Sequence, residues 1–158
     1  LKVIFGVSVS ERIALMGLHR IRLAAPWEFR LLTAKADLPS STCKLPFALS
    51  DVGADEAVSD SDTIVLTRKF HRPSGLDEST RVFIGIELDE VDSPNSLKTV
   101  LLNKEALSFP EDRSGSDGVL QIDVSGRLLP FNVLQLQFPV AAGHTPVRLI
   151  SVNLLIEE

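Results

Sequence analysis

Asn132-Val133-Leu134-Gln135-Leu136-Gln137-Phe138 is the stretch on which the fold class turns. Leu134, Leu136 and Phe138 recur at every second position, with glutamines between them. In a helix Leu134 and Leu136 would lie roughly 200° apart around the axis, whereas in a strand they share a face. Only an extended conformation gathers these side chains on one side, so the segment reads as a half-buried β-strand.

The same alternation spreads outward from this run. Val82, Ile84, Ile86 and Leu88 form one apolar face, and Leu120, Ile122 and Val124 form another. Between 19 and 31, Ile21 and Leu23 and then Trp27, Phe29 and Leu31 alternate with charged residues, with Ala24, Ala25 and Pro26 between the two runs. That pattern predicts two strands joined by a short corner. Over 147–156 the phase shifts midway, which a bulge near Leu149 explains. Weaker runs at 2–9, 44–49, 63–70 and 97–102 bring the total to about nine or ten strands. Turn chemistry separates them around Pro39, at Ser74-Gly75, around Pro94 and across 111–118. No amphipathic helix and no internal repeat interrupts the pattern. The expectation is one all-β domain over 1–158, a sandwich of two antiparallel sheets packed face to face.

Composition agrees. A chain of 158 residues with 44% hydrophobic and 23% charged residues can bury a sizeable core and is not of the disordered class. Its net charge of −5 repels phosphate backbones, so nucleic acid is not an expected partner. The longest apolar stretches are broken by Lys2, Gly6, Arg148 and Asn153, so no membrane span is expected. Cys43, the one cysteine, can form neither an internal disulfide nor a thiolate metal cluster. The chain begins at Leu1 rather than Met, which leaves the compartment open.

The chemical inventory is thin. There is no Gly-x-Ser-x-Gly elbow and no glycine-rich phosphate loop, so neither nucleophilic hydrolysis nor a nucleotide cofactor is signalled. His19, His71 and His144 are scattered, and each reads as a surface histidine. Cys43, among Ser41, Thr42 and Lys44, reads as a half-buried, inert thiol. The run from Asp112 to Gly118 fails as an EF-hand because glycine is displaced from the sixth place. A plain hairpin loop accounts for it, with a bound calcium ion as the alternative. The acidic stretch 51–62 reads as a solvated loop. With 21 acidic residues, no particular carboxylate pair stands out for glycoside chemistry. One position breaks the rule of its strand. Arg68 shares a phase with Ile64, Leu66 and Phe70, so it either faces the core and needs a carboxylate or ligand, or the strand ends or bulges near Thr67 and releases it to water; the end or bulge is the expectation.

Several short motifs follow one another in a telling order. Arg68-Lys69-Phe70-His71-Arg72-Pro73 comes first, then the strand from Arg81 to Leu88, then Val100-Leu101-Leu102-Asn103. Ile122-Asp123-Val124-Ser125-Gly126-Arg127-Leu128-Leu129 and Asn132-Val133-Leu134-Gln135-Leu136 complete the series. In that order they resemble the sugar-binding jelly-roll domain of family 2 glycoside hydrolases, and more generally galactose-binding-like modules. An Asn before a tight turn closes a hairpin, and Asp123 or Ser125 can cap the short helical turn after it. Two departures fall at turns: Lys104 stands where the family has glycine after its Asn, and Phe131 where it has Gly-Glu.

The resemblance implies a noncatalytic accessory module that binds carbohydrate, without catalytic residues, metal or cofactor. In that family a separate barrel carries the acid and nucleophile, and 158 residues leave no room for one. The expected ligand-binding residues are Arg68, His71 and Arg72, whose guanidinium forks suit vicinal hydroxyls or a carboxylate, with Trp27 nearby to cover a sugar face. Trp27 is in phase with Phe29 and Leu31, which favours a core position. The rival expectation is a structural or protein-interaction domain that self-associates or binds another chain through a strand edge or sheet face. An enzyme whose residues meet only in the fold is the third.

Overall fold

The computed structural model describes residues 18–32, 40–48, 62–90, 97–109, 119–139 and 147–157. The expected strand at 2–9, the acidic segment 51–61, the loop 112–118, the turns around Pro39 and Pro94, and His144 lie outside them. Among the described residues there is no helix, and eleven strands build two antiparallel sheets.

The five-stranded sheet runs β1 (Leu18–Arg22), β11 (Val147–Glu157), β6 (Arg81–Glu90) and β9 (Val119–Asp123), with short β4 (Phe47–Ala48) also pairing β11. The six-stranded sheet runs β3 (Ser41–Cys43), β2 (Trp27–Leu32), β5 (Thr63–His71), β10 (Phe131–Pro139), β7 (Thr99–Leu102) and β8 (Glu105–Ala106). From β5 onward the chain keeps changing layer. β5, β7 and β10 lie in one sheet, and β6, β9 and β11 in the other.

The core between the layers is made of the residues that alternate. Ile84, Ile86, Leu134, Leu136, Val152 and Leu154 have almost no solvent exposure, and each such side chain contributes about 1.5–3 kcal/mol by leaving water. The expected bulge is present: Leu149 pairs with Leu88 and Ser151 with Glu87, leaving Ile150 as the extra residue. The strand expected at 44–49 is instead divided. Ser41–Cys43 pairs with β2 in one layer and Phe47–Ala48 with β11 in the other, because Pro46, which has no N–H to donate, separates them. On the outer face of the five-stranded sheet, Gly85 makes room for Leu155: a Cβ there would lie 3.1 Å from Leu155 Cδ1.

The corner between β1 and β2 is stitched to both layers. Leu23 N–H donates to the Val152 carbonyl at 2.9 Å, and Leu45 N–H to the Ala24 carbonyl at 3.0 Å. Trp27 is fully buried, and its Nε1 donates to the Leu23 carbonyl at 2.7 Å. The indole therefore fills the core and satisfies the corner in one placement.

A second polar lock lies at β7, β8 and β10. The amide of fully buried Asn132 uses both ends: Oδ1 accepts from Asn103 Nδ2 and Leu129 N–H, each at 2.9 Å, and Nδ2 donates to the Leu129 carbonyl at 2.8 Å. Asn103 replies across the sheet. Its Oδ1 accepts from Val133 N–H and its own N–H donates to the Val133 carbonyl, both at 2.9 Å. Asn103 and Lys104 form the two-residue link between paired Leu102 and Glu105, with φ of 53° and 72°. Two left-handed residues in a two-residue hairpin make a type I′ turn, which prefers Asn-Gly. Asn tolerates its place, whereas the Cβ of Lys104 is strained. Lys104→Gly should therefore raise stability by about 1 kcal/mol, read as a higher urea midpoint at unchanged slope; an unchanged or lower midpoint would contradict the strain assignment.

Candidate functional site

The four residues expected to bind ligand occupy three different settings. Trp27 is in the core, with no exposed ring face. Arg68 is half-buried on the inner side of β5, while His71 and Arg72 are exposed at that strand's end.

Arg68 corrects the expectation of a strand end or bulge. β5 keeps unbroken register with β10 from Thr63 to His71, so Arg68 stays in the inward phase, opposite buried Leu134. Its environment follows from the ladder. Val133 directs its N–H and C=O toward Asn103, so its partner Lys69 turns its own peptide groups to the other side, toward β2. The β2 ladder ends at Glu28 and Thr67, two positions short of Lys69. Arg68 Nη1 donates to the Lys69 carbonyl at 2.5 Å and so fills the place of the missing strand. Its Nε is buried without a hydrogen-bond partner, and burial lowers the guanidinium's pKa.

His71 pairs with Phe131 across β5 and β10, and the rings meet edge to face with centroids 5.3 Å apart. Phe131 is 49% exposed and nearby Leu129 53%, so this end of the six-stranded sheet presents apolar surface. Arg72 begins the crossing to the other layer. Its N–H donates to the Pro130 carbonyl at 3.0 Å and its Nη2 to the Leu76 carbonyl at 3.3 Å.

The segment 72–80 and the turn after β9 enclose a shallow cavity of about 410 Å³. Arg72, Asp77, Glu78 and Thr80 supply its polar lining, and Leu76, Val82 and Leu128 its apolar lining. Asp77 fixes the loop. Its Oδ1 accepts from Ser79 N–H at 2.8 Å, Ser79 Oγ at 2.6 Å and Thr80 Oγ1 at 3.0 Å. These bonds, the Ser79 hydroxyl foremost, hold the Asp77 carboxyl below the usual carboxylate range. On the facing side, Arg127 N–H donates to the Val124 carbonyl at 3.0 Å across a turn whose Gly126 has φ of 75°, a value that glycine meets without strain. Asp123 Oδ1 accepts from Ser125 N–H at 2.9 Å, as expected for the cap, and Ser125 Oγ accepts from Val82 N–H at 2.9 Å. Hydrogen bonding from Ser125 lowers the Asp123 carboxyl, with Arg81 3.6 Å away adding a smaller pull. A second cavity, of about 530 Å³, lies beyond Leu76 and Thr80, toward His19 and Ile156.

Of the expected ligand residues, Arg72 lines the first of these cavities. Asp77, Glu78 and Thr80 were not foreseen, although Asp77-Glu78-Ser79-Thr80 carries a recognisable signal: an Asp whose side chain can bond the backbone two residues on. Cys43 is partly buried in apolar surroundings, which push its thiol up to about 11, so it is protonated at neutral pH. Among the described residues, no group of three or more His, Cys, Asp or Glu side chains could hold a metal ion.

With this geometry in hand, the fold can be placed among known ones. The two layers are similar in fold to part of several large glycosidases. The FMN-binding β-glucuronidase of Faecalibacterium prausnitzii L2-6 superposes with a TM-score of 0.60 at 20% identity, over 88% of this chain and 22% of that one. A second Faecalibacterium prausnitzii β-glucuronidase gives 0.59 at 15% identity, over 89% and 31%. The β-D-mannosidase of Dictyoglomus thermophilum gives 0.51 at 13% identity, over 76% and 15%. The chain thus spans less than a third of each of these enzymes. No family model and no curated protein matches the sequence. The two-sheet antiparallel sandwich implied by the motif resemblance is the fold found, and it is shared with these three structures.

The Asp77 cluster has a measurable signature. Its carboxyl is lowered in the folded state, so the loop's contribution to stability is complete above about pH 4 and is lost as pH falls through the folded value. Ser79→Ala removes the strongest donor and should move the Asp77 titration upward in carboxyl NMR; an unmoved curve would exclude this hydrogen bond as the cause.

Proposed function

We propose that this chain is a noncatalytic carbohydrate-binding or accessory module of jelly-roll type, with the cavity beside Arg72 as its ligand site. The observation that carries this reading is structural likeness to β-glucuronidases and a β-mannosidase, of which the chain spans only a minor part. Repeated switching between layers from β5 to β11 supports the jelly-roll assignment.

The chemistry of the cavity suits a sugar. Arg72 donates through the guanidinium nitrogens not engaged by Leu76, while Glu78 and the free oxygen of Asp77 accept from hydroxyls. Leu76 and Leu128 offer an apolar wall to ring C–H groups. In this reading His71 and Phe131 border the site, and Arg68 and Trp27 support the strand end from within. Neither cofactor nor nucleic acid takes part. Arg72→Ala should abolish saturable binding on a glycan array while leaving the thermal midpoint within about 2 °C of the parent, as surface changes do. Uniform silence of the parent chain across the array would count against the proposal.

A second reading is favoured by a different observation, the exposed Leu129 and Phe131 beside His71. Such apolar surface suits protein contact, whether with a second copy or with another chain. Concentration-dependent light scattering that is lost in Phe131→Ser would support it.

A further inference from the structure

We infer that the cavity beside Arg72 takes neutral sugars and discriminates against uronates, an inference that rests on the carbohydrate-binding reading above. One guanidinium, Arg72, and two carboxylates, Asp77 and Glu78, line the same space. The lining is therefore negative on balance. Of the cations nearby, Arg81 is paired with Asp123 at 3.6 Å, Arg127 is not among the lining residues, and Arg20 lines the adjoining cavity instead.

The two classes of sugar differ here in one group. A neutral hexose carries a hydroxymethyl at C6, which can donate to Glu78 and accept from Arg72. A uronate carries a carboxylate there, which can only accept and adds a further negative charge. Arg72 cannot redeem that charge fully, because it already gives Nη2 to the Leu76 carbonyl and stands in the field of both carboxylates. Asp77 cannot relieve the repulsion by taking up a proton, since Ser79 and Thr80 hold it ionised through three hydrogen bonds.

Matched glycosides test this directly. Methyl β-D-glucopyranoside and methyl β-D-glucuronide, together with the corresponding galacto-configured pair, would be titrated into isotope-labelled chain while the amide resonances of Thr80 and Gly126 are followed. The neutral member should bind about ten-fold tighter at low salt, with the ratio shrinking as salt is added. Glu78→Gln should narrow the ratio to about three-fold or less, whereas Arg72→Ala should weaken both members together. A uronide that binds as tightly as its neutral partner, or a ratio untouched by Glu78→Gln, would overturn the discrimination and leave the carbohydrate module standing. Silence of all four glycosides and of the glycan array would remove the module reading itself.

Discussion

The buried amide of Asn132 is the constraint on which the end of this sandwich depends. An amide with no access to water must find its partners inside or cost several kcal/mol. Asn132 finds them in Asn103 and in both peptide groups of Leu129. Three separate pieces of chain, the β7–β8 turn, the approach to β10 and β10 itself, are thereby held in a single arrangement. The arrangement is specific because it is polar. An apolar side chain of similar size could fill the space but would dictate neither register nor turn.

That lock is felt at the candidate site. Leu129 is fixed by Asn132, Leu128 is the residue before it, and Leu128 with Gly126 forms one wall of the cavity. The opposite wall, from Arg72 to Thr80, is fixed independently by the bonds converging on Asp77 and by the Arg72 contacts to Pro130 and Leu76. Two hydrogen-bonded walls of mixed polarity at the end of a sandwich leave the proposed site little to rearrange on being occupied. The chain shares its fold with parts of larger glycosidases.

The fold was legible because its signal is periodic. Leu134, Leu136 and Phe138 announced their strand, and the phase slip in the last strand located the bulge beside Leu149 to within a residue. What lacks a period was not legible. Ser41–Cys43 and Phe47–Ala48 join opposite layers, and nothing in so short a run distinguishes the layer it will join. Arg68 was recognised as anomalous, but the answer lay in the ladder between its own strand and β2, which stops short and leaves a peptide carbonyl for the guanidinium. The site was half visible. Arg72 stood out by charge and motif, whereas its partners Asp77, Glu78 and Thr80 become its neighbours only because the crossing segment folds back on itself. The Asn103–Lys104 turn shows how motif and structure complete each other. The glycine missing from the motif is the one whose place has a positive φ.

One feature of the topology governs how the molecule comes into being. β11, the last of the described strands, is an interior member of its sheet, touching β1, β4 and β6 at once. As the chain is synthesised, those three segments wait without a common partner until β11 has left the ribosome. The ladder between Leu18 and Glu157 joins residues far apart in sequence, so the ordering it requires comes late and slows the acquisition of structure. A nascent chain halted before Val147 would expose the flank of β6, an invitation to pair with strangers.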